Sequence, residues 1–183
     1  MSRAARIAGL LPLAALALAS ALADPPADCT DFKWDLGREL AIFRASPSPV
    51  VAAADPRATP HLAVGQLYDL TLLPQATVTF AHPPGGRRAV EVPHAGLVEF
   101  SLQAAGHYRV TADGHVWLDV VAADRVVDSS NFSGSPRCTL IRKSVDFDLP
   151  ASTRLVLQLS QSPVEHVRLA ITPAADAQAA TPR

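Results

Sequence analysis

The chain has 183 residues and a formal net charge of −1, and its basic residues are scattered along the sequence. This pattern argues against nucleic acid or an anionic membrane as a partner, because both need a basic patch or stripe. Hydrophobic residues make up 49% of the chain, which is enough to fill the core of one ordinary domain.

A secretory signal peptide is predicted over residues 1–23. The run MSRAAR is basic, residues 7–19 are almost wholly apolar, and Ala21-Leu22-Ala23 matches an A-x-A cleavage site. The apolar run is shorter than the ~20 residues of a spanning helix, so we expect no membrane span after cleavage. Ala and Arg are plentiful and Lys is nearly absent, which indicates a high-GC bacterial gene. The expected location is the bacterial periplasm or the exterior.

Two cysteines, Cys29 and Cys138, are present. In an exported chain they most simply form one disulfide, which would tie the N-terminal segment to a late loop. Two buried thiols and an intermolecular bridge are the alternatives.

An N-terminal arm is predicted over residues 24–66, ahead of the main domain. Leu36, Leu40 and Phe43 have helical spacing, and Asp35 is placed to cap a short helix. Residues 46–60 are rich in proline and predict an extended surface loop. The main domain is predicted over residues 67–173, and residues 174–183 form a tail without periodicity that is predicted to be disordered.

Two-residue alternation predicts the strands of the main domain. The first five expected strands are 67–73, 76–80, a short edge strand at 89–92, 98–102 and 107–112. Asp113-Gly114 predicts a type I′ hairpin into a strand at 115–121, and a second turn at Ala123-Asp124 leads to 125–127. Residues 128–137 are predicted as a loop, and the last strands are expected within 139–149, 154–160 and 166–172.

About nine strands, separated by turn signals and without βαβ alternation, predict an all-β fold. The predicted architecture is an antiparallel β-sandwich, jelly-roll-like or immunoglobulin-like, with one short N-terminal helix.

Two surfaces are candidate ligand sites. Arg109, His166 and Arg168 lie in the polar phase of their strands and would form a ledge for an anionic ligand, together with Thr111, Arg154 and Gln158, if these strands share a sheet. Trp34 and Phe132 lie near the two cysteines, so the disulfide would bring them into one apolar patch. Trp117 has apolar neighbours in both phases and is predicted to lie in the core.

Three further residues are candidate metal ligands. His107 and His115 flank the predicted Asp113-Gly114 hairpin, and Asp119 follows His115 in the same phase. Exposed histidines at strand ends are the ordinary alternative. The chain contains no G-x-S-x-G motif and no H-x-H followed closely by Glu, so no catalytic residue is assigned and no cofactor is expected.

The sequence also resembles known proteins in several runs. Ala105-Gly106-His107-Tyr108, Phe132-Ser133-Gly134 and residues 138–145 resemble small exported proteobacterial proteins of unassigned function. Some of those carry a homogentisate dioxygenase label, but that class needs an iron-binding His/His/Glu set that has no counterpart in this sequence. The run from Ala105 to Thr111 is also similar to β-sandwich modules appended to secreted peptidases.

The leading functional hypothesis is a non-enzymatic envelope protein that binds an unknown small ligand, a glycan or a protein partner. One alternative is a metal-dependent or hydrolytic enzyme that uses His107, His115 and Asp119. Another is a purely structural envelope component.

Overall fold

The computed structural model describes residues 29–86 and 89–174. The predicted signal peptide and nearly all of the predicted disordered tail lie outside these residues. Within them the chain forms one short helix and eleven strands. The elements are α1 (Gly37–Phe43), β1 (Ser48–Val51), β2 (Leu67–Thr71), β3 (Leu73–Pro74), β4 (His94–Leu102), β5 (Gly106–Ala112), β6 (Trp117–Ala122), β7 (Arg125–Val127), β8 (Ser129–Gly134), β9 (Lys143–Leu149), β10 (Ser152–Ser162) and β11 (His166–Pro173).

The strands form two packed sheets, as the alternation predicted. One sheet has six strands in the order β1-β2-β11-β5-β9-β8, and the other has five in the order β3-β4-β10-β6-β7. The antiparallel pairs are nested in sequence, since β2 pairs with β11, β4 with β10, β5 with β9, and β6 with β7. In a jelly roll, the strands pair as in one long hairpin, and successive pairs of that hairpin belong alternately to the two sheets. The structure therefore has the jelly-roll architecture, the first of the two that the sequence predicted.

The main core lies between the sheets. The inward residues of the longer strands are almost completely buried, including Phe100, Val110, Phe147, Leu157 and Leu169. Each such side chain contributes ~1.5–3 kcal/mol through the apolar surface removed from water. Strand alternation therefore identified most of the core correctly.

The outer faces of both sheets are also covered. Helix α1 buries Leu36, Leu40 and Phe43 against the outer face of the six-stranded sheet, where they meet Leu67 and Ala170. On the five-stranded sheet, residues 78–86, which we call the strap, run across the outer face. Val78 and Phe80 of the strap pack against Leu97, Val121 and Val156. A sheet covered on both faces buries residues in both phases of its strands.

The predicted hairpin at Asp113-Gly114 is wrong. Strand β5 belongs to the six-stranded sheet and β6 to the five-stranded sheet, so this link crosses between the sheets. Neither residue has a positive φ, whereas Ala123 and Asp124 have φ values of 47° and 60°. Those two residues join β6 to β7 and confirm the second predicted turn.

Four local predictions also differ from the structure. Residues 76–80 form part of a 3-10 turn (Gln75–Thr77) and an irregular extended segment, and residues 89–92 form no strand. Conversely, β1 lies within the predicted loop 46–60, and β8 lies within the predicted loop 128–137. The polar edge strand β8 lacks the alternation of a half-buried strand, because its outward side chains remain in solvent.

The predicted disulfide between Cys29 and Cys138 is confirmed. The two Cα atoms are 4.4 Å apart, and the bridge closes a sequence separation of 109 residues. Asp31 and Arg137 form an ion pair beside it, and Arg137 holds the pKa of the Asp31 carboxyl below its usual range. Among the described residues, no helix is both long enough and apolar enough to span a bilayer.

The disulfide should contribute a large part of the net stability. Closing so long a loop lowers the entropy of the unfolded chain, which corresponds to about 4 kcal/mol. We therefore expect the Cys29→Ala, Cys138→Ala double variant to lose about 4 kcal/mol in the free energy of unfolding, measured by urea denaturation with and without a reductant. Equal stability of the variant and the oxidised wild type would contradict this expectation.

Candidate functional site

A cleft of about 410 Å³ lies between the edges of the two sheets. Its volume is within the range of small-ligand sites, about 300–1,000 Å³. The five-stranded sheet contributes Trp117 at the start of β6, and the six-stranded sheet contributes Phe132 from β8 and Lys143 from β9. The other polar side chains that line the cleft are His115, Arg142 and Gln161.

Trp117 is exposed but fixed in position. The residue is 42% exposed, yet its indole Nε1 donates a hydrogen bond of 2.8 Å to Asp119 Oδ1. The other carboxylate oxygen, Asp119 Oδ2, accepts a hydrogen bond of 3.1 Å from the backbone N–H of Gly85 in the strap. The buried carboxylate therefore links the indole to the strap and restrains the orientation of the ring.

The end of the strap packs so closely against Trp117 that it needs glycine. A Cβ at Gly86 would lie 2.9 Å from Trp117 Cγ and 2.5 Å from Gln161 Oε1, closer than real Cβ contacts. The Gln161 side chain donates from Nε2 to the Gly86 carbonyl at 2.6 Å, and Gln161 itself has a positive φ of 56°. A non-glycine residue in this conformation is uncommon, and such residues occur often at functional sites.

Phe132 is the second exposed ring of the cleft. It is 57% exposed and lies on the edge strand β8, paired in register with Val145 of β9. The Lys33 ammonium lies 5.8 Å from the centre of the Phe132 ring. Large apolar side chains exposed in a concave surface mark interaction sites more often than isolated ones do.

Cationic side chains surround the two rings. The Lys143 ammonium lies 5.6 Å from the centre of the Trp117 ring and donates a hydrogen bond of 3.0 Å to the Val116 carbonyl. Arg142 Nε donates to His115 Nε2 at 2.9 Å. Burial lowers the pKa of the Lys143 ammonium; the nearby Asp119 carboxylate opposes this effect, and Arg142 adds to it.

Arg109 of the predicted ledge and Trp34 of the predicted apolar patch contact each other. Helix α1 covers Arg109, which forms a bidentate pair with Asp146 at 2.7 and 2.9 Å and lies 3.7 Å from the buried Glu39 carboxylate. The Trp34 ring stacks on the Arg109 guanidinium at 4.5 Å. Thr172 Oγ1 donates to Glu39 Oε1 at 2.7 Å and completes this network. The alternation of β5 predicts a solvent-exposed polar face, and this prediction is wrong at Arg109. A strand has the same pattern whether water or a helix covers its outer face.

The rest of the predicted ledge is also dispersed. Arg109, His166 and Arg168 do share a sheet, on the paired strands β5 and β11, but Arg154 and Gln158 lie on β10 in the other sheet. His166 contacts Asp69 at 3.4 Å, and Arg168 donates from Nε to Asp113 Oδ2 at 2.7 Å. Each of these side chains has a partner within the protein. Of the five predicted ligand residues, only Phe132 lines the cleft.

The three predicted metal ligands do not converge. His107 lies at the start of β5 and pairs with Asp148, whereas His115 lies beyond the end of that strand. The intervening strand spans roughly 16 Å at ~3.3 Å per residue. Asp119 is engaged by Trp117 and Gly85. No group of three His, Cys, Asp or Glu side chains arranged for a metal occurs among the described residues.

Sequence reasoning missed Trp117, Arg142, Lys143 and Gln161. Trp117 was predicted to lie in the core because the strand around it is apolar in both phases, but it is the first residue of β6 and only the later residues are buried. The scarcity of lysine was one signal in the sequence that could have pointed to the cleft. The chain has only two lysines, Lys33 and Lys143, and each ammonium lies against one of the two exposed rings of the cleft.

Comparison of the chain with protein-family models, curated proteins and solved structures finds no match. The resemblances noted in the sequence therefore remain predictions.

The buried Arg109 network should be important for stability. Removal of Arg109 leaves Glu39 and Asp146 without their cationic partner under α1. We expect Arg109→Ala to cost about 3–5 kcal/mol in the free energy of unfolding, measured by chemical denaturation. The matched control is Arg168→Ala, whose partly exposed pair with Asp113 should contribute about 1 kcal/mol or less. Equal losses in the two variants would contradict the assignment.

Lys143 should make stability depend on pH in the alkaline range. Its pKa in the folded protein is lowered from the ordinary value of 10.5, so the unfolded chain binds more protons between the two pKa values. The free energy of unfolding therefore gains a contribution that increases as pH rises through this interval. We expect the stability of the wild type to rise relative to Lys143→Met as pH is raised toward 10.5, measured by urea denaturation. A difference that is constant or moves the other way would refute this.

Proposed function

We propose that this protein is an exported, ligand-binding β-sandwich of the bacterial envelope, and that its ligand binds in the cleft between Trp117 and Phe132. The observation that carries the proposal is the exposure of these two rings, one from each sheet, in a single concave site. Leaving such surface in contact with water costs free energy that a ligand would recover on binding.

The cleft is also organised before any ligand arrives. The indole of Trp117 is fixed by Asp119, and the strap is fixed by Gln161 and by the backbone of Gly85. A preformed site avoids part of the entropy loss that binding imposes on mobile side chains. The combination of exposed aromatic surface and restrained geometry favours binding over a purely structural role.

Export is supported by two independent features. The basic and apolar run at the start of the sequence matches a signal peptide, and the Cys29–Cys138 bridge is of the kind that persists in oxidising compartments. Location in the periplasm or outside the cell is therefore part of the proposal.

A thermal-shift screen tests the proposed site. The purified protein would be mixed with neutral saccharides, acidic saccharides, amino acids and short peptides. At a ligand concentration of 100 times Kd, binding stabilises the folded state by about 2.7 kcal/mol, which corresponds to a rise in Tm of roughly 5 °C or more. We expect at least one class to give such a rise, and we expect Trp117→Ala and Phe132→Ala to abolish it.

Val164→Ala is the matched control, because Val164 is an exposed apolar side chain outside the cleft. It should leave the rise in Tm unchanged. The proposal fails if no compound stabilises the protein or if the rise survives in Trp117→Ala. A rise produced instead by Zn²⁺ or Fe²⁺ and lost in His107→Ala would favour the metal-dependent alternative.

A further inference from the structure

The two charged side chains that line the cleft, Arg142 and Lys143, are both cationic, and no Asp or Glu is among the described residues that do so. The Asp119 carboxylate beside Trp117 accepts hydrogen bonds from Trp117 and Gly85. A chain with a formal net charge of −1 has therefore placed a local excess of positive charge beside its two exposed rings.

The aromatic part of the site has the features of a platform for a sugar ring. The C–H bonds on one face of a pyranose carry partial positive charge and pack against the negative face of an indole. Trp117 is held by its edge through Nε1, so the hydrogen bond does not occupy a ring face. The Lys143 ammonium lies over the ring and Gly86 packs against Cγ, and 42% of the residue remains exposed. Gln161 adds an amide near the platform, and amides pair with hydroxyl groups as both donor and acceptor.

Lys143 connects the aromatic part of the cleft with its cationic part. Its ammonium lies 5.6 Å from the centre of the Trp117 ring, a separation close enough for one ligand to touch the ring and the cation together. Burial leaves the ammonium with less water around it, and a charged hydrogen bond is stronger in such surroundings than in bulk solvent. Arg142, the neighbouring residue, provides a second cation that lines the cleft.

We infer that the ligand of this cleft is a saccharide that carries a carboxylate, with the sugar ring on Trp117 and the carboxylate directed to Lys143 and Arg142. The inference rests on the proposed function, because it names the ligand class of the same site. A free uronic acid and a uronic-acid residue within a polysaccharide share this chemistry, and the length of the probe distinguishes them.

Isothermal titration of the purified protein with defined probes tests the inference. D-Galacturonic acid and its linear trimer would be compared with D-galactose and the corresponding neutral trimer, all at low salt. We expect each acidic probe to bind roughly tenfold or more tightly than its neutral partner, as one charged hydrogen bond provides. Tighter binding of the trimer than of the monomer would identify a polysaccharide as the source, and equal binding a free sugar acid.

Variants test which residues cause the preference for acidic over neutral probes. Lys143→Gln should bring the ratio of acidic to neutral affinity close to one, and Arg142→Gln should lower it independently if the first variant does not fold. Arg125→Gln removes an exposed cation outside the cleft and should leave the ratio unchanged. Raising the ionic strength should lower the ratio in the wild type but not in Lys143→Gln.

Several results would overturn the inference and are separable from failure of the proposed function. Equal affinity for galactose and galacturonate, with both lost in Trp117→Ala, would keep the cleft as the site and refute the charge argument. Equal affinity for phenylacetate, a carboxylate without a sugar ring, would refute the saccharide argument. A positive thermal-shift screen in which no saccharide binds would refute the ligand class and leave the cleft. A screen without any ligand would refute both proposals.

Discussion

The middle of the strap is attached to the five-stranded sheet by a fully buried side chain, Gln158. Its Oε1 accepts a hydrogen bond of 3.0 Å from the His82 N–H, and its Nε2 donates to the His82 carbonyl at 3.2 Å. The amide thus pairs with the backbone of the strap as a neighbouring strand would. A polar group buried without such partners would cost free energy, so the strap and the side chain stabilise each other. The glycines that contact Trp117 lie four residues or fewer beyond this point.

The two segments that cover the outer faces of the sheets both contribute partners to buried polar side chains, but their structures differ. On the six-stranded sheet, the disulfide and α1 hold an N-terminal segment over Arg109, and the buried guanidinium is neutralised by Asp146 and Glu39. On the five-stranded sheet, an irregular strap lies over Gln158 and its hydrogen bonds take the place of a strand. Each covering supplies a partner to one buried polar side chain below it, the Glu39 carboxylate to Arg109 and the His82 backbone to Gln158. Trp117, at the start of β6, lies beside Gly85 and Gly86 of the strap and remains 42% exposed.

The sequence predicted the parts of the fold that depend on alternation, and it missed the parts that depend on tertiary covering. The inward phase at Val98, Phe100 and Leu157 follows from the two-residue period alone. The burial of Arg109 and Gln158 does not, because an outward polar residue has the same pattern whether water or another segment covers it. Likewise Asp113-Gly114 has the composition of a hairpin turn, but a crossing between sheets uses the same residues. Phe132 was identified through its neighbourhood to Cys138, whereas Trp117 was assigned to the core by its apolar neighbours.

The proposed binding site depends on a ring that is exposed and held by a hydrogen bond to Asp119. Nuclear magnetic resonance can test this directly through the exchange of the Trp117 indole N–H with solvent, with the Trp34 signal identified in a Trp34→Phe variant. If Asp119 holds the ring as described, the Trp117 indole proton exchanges far more slowly than that of free tryptophan, and Asp119→Ala restores fast exchange. Fast exchange in the wild type, or slow exchange that persists in Asp119→Ala, would contradict the account.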